Sequence, residues 1–281
     1  MKSILEVLNA TTDYFAKHGV ESPRLNAEHL IAHTLGKRRL DLYLEFDRPL
    51  GEQELAPLRD HVKKRAQGVP LQHLLGTVEF HGRTFRSDAR ALIPRPETEQ
   101  LLELLLPTLN SQPSTLNLLD VGTGTGCIAL TLAAELPTAE VQAVDISPDA
   151  LALARENAGA LGLTERVAFL ESDLLAAVGG VFDLIVANLP YIAAEEIAAL
   201  AREVQHDPRL ALDGGPRGTE IIERLILDAR DHLKPGGRLA LEIGHDQADV
   251  LLEKLRAAGY HASKCVADHA GISRYLFATY G

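Results

Sequence analysis

Phe182-Asp183-Leu184-Ile185-Val186-Ala187-Asn188-Leu189-Pro190-Tyr191 is the stretch that decides the fold. Leu184 to Ala187 is apolar at every position, as suits a strand buried on both faces of a parallel sheet. The run stops abruptly at Asn-Leu-Pro-Tyr. In an open α/β sheet, ligands bind outside the carboxyl ends of the strands, so this tetrapeptide falls where chemistry is expected.

Each of its residues has a chemical use. The Asn188 side-chain oxygen can accept a hydrogen bond from an NH₂ group. Pro190 has no N–H, fixes its own φ and restricts Leu189, which turns the Leu189 carbonyl outward as a second acceptor. Tyr191 offers a flat face. Together they suit a planar –NH₂ substrate, either a carboxamide or the exocyclic amine of a base. A plain strand-to-turn transition would also use Asn and Pro.

Outward from this stretch the pattern alternates strand and helix. Strands are expected at Leu116–Val121, Glu140–Asp145, Val167–Leu170 and Arg238–Ile243, the last entered through a Pro235-Gly236-Gly237 turn. Helices are expected at Ile128–Leu136, from Pro148 to Leu161, at Glu195–Val204, Thr219–Leu233 and Ala248–Ala257. Residues 260–267 and 274–280 read as a closing hairpin whose last strand runs antiparallel.

The first strand runs into Gly122-Thr123-Gly124-Thr125-Gly126, where glycines let the backbone turn tightly and approach a ligand. Cys127 stands where a dinucleotide fingerprint would carry another glycine. Asp145 ends the next strand. Its carboxylate either binds the two ribose hydroxyls of a nucleoside or caps the helix at Ser147-Pro148. Asp173 can hold an adenine amine, with Leu174 packing on the ring. A nucleoside without a pyrophosphate cradle, beside a grip for –NH₂, points to S-adenosylmethionine and N-methyl transfer.

Residues 1–75 read as a small domain of four or five helices. Ile4, Leu5, Leu8, Thr12 and Phe15 share a face; Ser22-Pro23 is a helix start, with Ser as cap; Leu55, Leu58 and Val62 mark a further helix. His29 and His33 stand four apart, as metal ligands can, but no third candidate lies near, so no metal is expected. Residues 76–95 read as a hairpin, with strands at Val78–Phe80 and Thr84–Arg86, and a stiff proline-bearing linker; 96–281 form the third region. In Ile93-Pro94-Arg95-Pro96-Glu97, Arg95 or Glu97 reaches toward the site if the segment lies over it.

The chain of 281 residues carries a net charge of −11, which disfavours a broad phosphate-binding surface. No apolar run reaches membrane-spanning length, and Met1-Lys2-Ser3-Ile4-Leu5-Glu6 lacks a secretory signal's apolar core. Two cysteines, Cys127 and Cys265, make no disulfide framework, so a cytoplasmic location is expected.

The chain resembles the protein-(glutamine-N5) methyltransferases that modify peptide chain release factors. The resemblance runs over nearly the whole length. It is carried by Pro70-Leu71-Gln72 with Leu75-Gly76, Ile93-Pro94-Arg95-Pro96-Glu97-Thr98-Glu99, Asp120 to Gly126, Ala143-Val144-Asp145, Ala211-Leu212-Asp213-Gly214-Gly215, Glu242-Ile243-Gly244 with Gln247, and Asp268 with Ala270-Gly271. The resemblance implies a Rossmann-like, seven-stranded S-adenosylmethionine-dependent methyltransferase domain behind a small helical domain that seats the release factor. It also implies methylation of the glutamine in the Gly-Gly-Gln loop of that partner, and no direct nucleic-acid or membrane contact. A monomer is expected. One position departs: the family has Asn-Pro-Pro-Tyr, whereas Asn188-Leu189-Pro190-Tyr191 resembles the ribosomal RNA adenine dimethyltransferases. Adenine-N6 methylation of nucleic acid is therefore the alternative.

Overall fold

A computed structural model describes residues 2–111 and 115–281. They form two compact units, one of the described residues up to 77 with 201–206, the other of those from 78 to 200 with 207–281.

The first unit contains α1 (Ile4–Lys17), α2 (Pro23–Thr34), α3 (Glu52–Ala66) and α4 (Leu71–Leu75), with a 3₁₀ segment at Arg39–Leu44. Ser3 and Glu6 close a capping box at the start of α1. Ile4, Leu8, Phe15, Leu30, Ile31 and Leu42 are buried together, so the periodic apolar faces do form one core. Ser22 is not the expected cap: it takes a left-handed conformation (φ 45°) and its side chain makes no capping bond. Instead, the Asn26 amide donates to the carbonyls of Glu21 and Ser22 at 2.9 and 3.3 Å. The His33 ring lies 5.8 Å from that of His61, and the described residues hold no metal-ligand cluster.

The second unit begins with the hairpin β1 (Thr77–Phe80) and β2 (Arg83–Arg86). Its Phe80 and Phe85 meet edge to face, 5.9 Å apart at 87°, and both are buried in the core around the large sheet. The residues expected as hairpin and linker thus belong, from Val78 on, to the second unit. There follow α5 (Pro96–Asn110), β3 (Asn117–Val121), α6 (Cys127–Glu135), β4 (Glu140–Asp145), α7 (Pro148–Ala160), β5 (Val167–Glu171), β6 (Phe182–Asn188), α8 (Glu220–Asp228), β7 (Leu233–Glu242), α9 (Ala248–Ala257), β8 (Tyr260–Ala267) and β9 (Ser273–Tyr280).

The seven strands are ordered β5-β4-β3-β6-β7-β9-β8, with β9 antiparallel to both neighbours. Alternate residues of the central strands face opposite layers. Leu118, Leu184 and Val186 pack with α5, α6 and the hairpin phenylalanines, whereas Leu119, Ile185 and Ala187 pack with Ile222, Leu225 and Leu251 of α8 and α9. After β5 the chain returns to the centre, so β3 and β6 are neighbours and the strand order reverses between them. A crevice opens at such a switch point, beyond the carboxyl ends.

Two expected elements differ. Glu195–Val204 is not a helix but carries 3₁₀ turns at Ile197–Ala199 and Val204–His206. Tertiary bonds override its helix propensity: Ala194 N–H donates to Gly215 O at 3.0 Å, and Glu203 pairs with buried Arg65 at 2.5 Å. Pro235-Gly236-Gly237 does not precede a strand but lies inside β7, where a register shift against β6 between Phe182 and Leu184 absorbs it.

Because Phe85 is fully buried, Phe85→Ala should destabilise the second unit by about 3–5 kcal/mol. Urea unfolding followed at a probe within the sheet should show the lower midpoint, and a probe in α1–α4 should not.

Candidate active site

The crevice encloses about 280 Å³ and is lined by the glycine turn after β3, Asp145 after β4, Asp173 and Leu174 after β5, and Asn188, Leu189 and Pro190 after β6. Pro94, Arg95 and Thr98 line it as well. The sequence-predicted residues, scattered over seventy positions, are thus brought to one place by the parallel topology, with Gly126 and Tyr191 the exceptions.

Gly122, Gly124 and Gly126 have φ of 73°, 56° and 81°. At Gly122 a Cβ would stand 2.8 Å from Leu189 Cδ2, so only glycine lets the leucine close on the turn. The Thr123 hydroxyl donates to Asp120 Oδ2 at 2.6 Å, and Ala129 N–H donates to the same oxygen at 3.1 Å. Asp120 thereby ties the turn to the first residues of α6. It is fully buried and its Oδ1 has no partner among the described residues. Burial pushes its carboxyl up to about 7.

Asp145 Oδ2 accepts from Gly124 N–H and Oδ1 from Ser147 N–H, both at 2.9 Å. It is not the cap of α7: the Ser147 hydroxyl is, accepting from Ala150 N–H at 3.2 Å. Burial raises the Asp145 carboxyl above its ordinary range. Each of its oxygens keeps lone pairs for a ligand's hydroxyl donors. Asp173 is half-exposed and pairs with Arg224 at 3.1 Å. Leu174 takes φ 49° and is buried, on the same wall. A carboxylate pair flanking apolar Ile146 and Leu174, under a turn that only glycines can make, fits the nucleoside of S-adenosylmethionine.

The Asn188 amide is held by a chain of bonds. Its Nδ2 donates to Thr98 Oγ1 at 3.0 Å, and the Thr98 hydroxyl donates to Glu242 Oε2 at 2.8 Å. Glu242 pairs in register with Asn188 across β6 and β7. It is buried, and burial pushes its carboxyl up to about 7. The Asn188 Oδ1 accepts no hydrogen bond among the described residues.

Leu189 is placed differently from expectation. The sequence assigns a part only to its carbonyl, yet its side chain is buried, lines the crevice and packs over Gly122. Tyr191 does not line the crevice; it is half-buried against the core on the α8–α9 side. Burial, then Glu242, pushes its phenol up to about 12. What Tyr191 supplies is its carbonyl, which accepts from Gln247 Nε2 at 2.8 Å. Gly214 N–H donates to Ile192 O at 2.9 Å, and a Cβ on Gly214 would come within 2.7 Å of Pro190 O. The segments around Gly214 and Gln247 therefore brace the tetrapeptide from behind.

Arg95 reaches the crevice wall while its NH2 pairs with the buried Asp207 at 2.6 Å, and Ile93 N–H donates to the other oxygen at 3.3 Å. Glu97 does not line it; its carbonyl accepts from Tyr275 OH at 2.7 Å. Sequence reasoning gave no role to Thr98, Asp120, Asp207 or Glu242. The signal for Glu242 was a carboxylate ending an apolar strand run, Leu239-Ala240-Leu241-Glu242.

Residues 6–76 match the PrmC N-terminal domain and residues 98–217 the methyltransferase small domain. Over 257 residues the chain is 46% identical to the release factor glutamine methyltransferase of Chlorobaculum tepidum, covering 88% of this chain and 87% of that one. It is 45% identical to the protein of the same name from Deinococcus radiodurans, covering 92% and 91%. The solved hMettl16 catalytic domain in complex with MAT2A 3'UTR hairpin 6 superposes with a TM-score of 0.59 at 18% identity, over 79% of this chain and 82% of that one, and shares the fold.

The raised Asp120 carboxyl has a stability consequence. Its pKa is higher folded (about 7) than unfolded (3.8), so between those values the folded state binds more protons and loses stability as pH rises. Asp120→Asn removes the titration. The stability of that variant minus that of the wild type should climb by about 1.4 kcal/mol per pH unit through this window and level off above it. Chemical unfolding at a series of pH values reads this difference directly.

Proposed function

The chain belongs to the release factor glutamine methyltransferases, and from that premise we propose how its crevice performs the reaction. The enzyme transfers a methyl group from S-adenosylmethionine to the N5 nitrogen of the glutamine in the Gly-Gly-Gln loop of peptide chain release factors. S-adenosylmethionine supplies an electrophilic methyl group. The residues that hold it are Asp145, on the ribose hydroxyls, Asp173 and Leu174, at the adenine, and Gly122 to Gly126 under the amino-acid portion.

The observation that carries the assignment of the acceptor side is the Asn188 amide, fixed through its nitrogen with its oxygen free. That oxygen and the Leu189 carbonyl accept hydrogen bonds from the two N–H groups of the glutamine NH₂. An amide nitrogen is a poor nucleophile because its lone pair is delocalised into the carbonyl. Two acceptors orient it and stabilise positive charge as it develops there; no base need act before transfer, and the extra proton leaves the methylated nitrogen for solvent afterwards. Pro190 stiffens the loop. Tyr191 acts through its Gln247-held carbonyl, which keeps that loop in place.

The helical residues 1–75 are the part that seats the protein substrate, with 76–95 leading into the methyltransferase domain 96–281. The enzyme works as a cytoplasmic monomer on protein rather than nucleic acid. The net charge of −11 supports this reading against adenine methylation, and no helix of the described residues is long and apolar enough to cross a membrane.

Two variants test the two halves of the site. Asp145→Ala should weaken S-adenosylmethionine binding by at least tenfold in calorimetry, about 1.4 kcal/mol or more, with an unchanged melting curve. Asn188→Ala should retain that binding but lose about 10²-fold or more in turnover on a release factor. Labelled-cofactor assays with a release factor, its Gln-substituted form and RNA separate the readings: transfer to RNA but not to the release factor would move the enzyme to adenine chemistry.

A further inference from the structure

We propose that Thr98 and Glu242 are positioning residues that decide which end of the Asn188 amide meets the substrate. An asparagine side chain is nearly symmetric in shape, and either its oxygen or its nitrogen fits the same space. Only the oxygen can grip an NH₂ group; the nitrogen would repel it. The chain must therefore fix a rotation that packing alone leaves open.

The hydrogen-bond polarity of the three side chains does so. An ionised Glu242 can only accept, so Thr98 must give it the hydroxyl proton, across 2.8 Å. Having spent its proton there, the Thr98 oxygen can only accept from Asn188, across 3.0 Å. Asn188 must then present its NH₂ to Thr98, leaving Oδ1 for the substrate. The frame holding this relay is rigid. Asn188 and Glu242 are register partners on adjacent strands, and Thr98 lies in the first turn of α5, which Tyr275 OH clamps through the Glu97 carbonyl at 2.7 Å.

Protonation reverses the logic. A neutral Glu242 can donate to Thr98, freeing the threonine proton for Asn188, which then turns its oxygen inward and its nitrogen to the substrate. The groups facing Glu242 set where this occurs. Burial raises its carboxyl to about 7, Thr98, Arg274 and Arg95 oppose that rise, and Glu97 adds to it. The Tyr191, Tyr275 and Cys127 protons all stay on through neutral pH, each group being pushed up chiefly by its own burial. The relay thus ionises near neutrality, and turnover follows it.

The inference rests on the reading of Asn188 as the acceptor for the substrate amide. The experiment is steady-state methylation of a release factor by the full chain, with kcat, KM and cofactor affinity measured for the wild type and for Thr98→Val, Thr98→Ser, Glu242→Gln and Asn188→Ala. Thr98→Val, of nearly the same shape, should lower kcat by about 10-fold or more while KM and S-adenosylmethionine affinity stay within about threefold. Thr98→Ser, which restores the hydroxyl, should recover most of the loss. Wild-type kcat should rise with pH through a group near 7, and Glu242→Gln should lack that limb. A Thr98→Val enzyme with wild-type kcat, a loss that serine does not rescue, or a pH limb that survives in Glu242→Gln would overturn the relay. If Asn188→Ala collapses while Thr98→Val does not, the relay alone is wrong. If Asn188→Ala is fully active, the acceptor reading falls and the relay with it.

Discussion

A strand buried on both faces has nowhere to put a polar side chain until it ends, and this constraint shapes the second unit. Within β6 every residue from Leu184 to Ala187 is buried and apolar. The polar groups of the central strands accordingly gather at their carboxyl ends: Asp120 near the end of β3, Asp145 on β4, Asn188 on β6 and Glu242 on β7. Parallel alignment puts those ends on one side, and the reversal of strand order between β3 and β6 opens the crevice there. The sheet thus sorts the chain into an apolar body and a polar rim without any of these residues being close in sequence.

Crowding carboxyls at that rim has an electrostatic consequence. Asp120, Asp145 and Glu242 are each raised by burial, and Asp145 raises Asp120 further. Bonds from Thr123, Ala129, Thr98 and backbone amides oppose the rise without cancelling it. A core built for stability alone would have apolar residues there. Of the three acids only Asp145 lines the crevice; Asp120 braces the glycine turn and Glu242 accepts from Thr98.

The fold was legible from the sequence because its signals are local and repeated. Uninterrupted apolar runs gave the parallel strands, Pro148 opened a helix, and the closing hairpin gave the antiparallel strand. The Ala-rich stretch after Tyr191 misled, since its propensity is helical but Gly215 and Arg65 take its polar groups elsewhere. That Asp145, Asp173 and Asn188 share one crevice was legible too, because each lies at or just past the end of its own strand. The support of Asn188 was not. Thr98 is ninety positions away and Glu242 fifty-four, and nothing in either residue's neighbourhood announces the other. Hydrogen-bond relays of this kind are set by register between strands, which a single sequence does not encode in any local pattern.

Leu189 shows how a side chain can hold a loop in place. A proline at this position would confine the loop by ring closure. Leucine gives up that stiffness, but its side chain reaches across the switch point and closes on Gly122, where even one additional carbon on the glycine would collide. The loop after β6 is thereby pressed against the glycine turn after β3. Gly214 and Gln247 hold the same loop from the other side, through Ile192 and the Tyr191 carbonyl. Rigidity lost from the chain is recovered from packing on one face and hydrogen bonds on the other. The two walls of the crevice are joined here by a direct van der Waals contact.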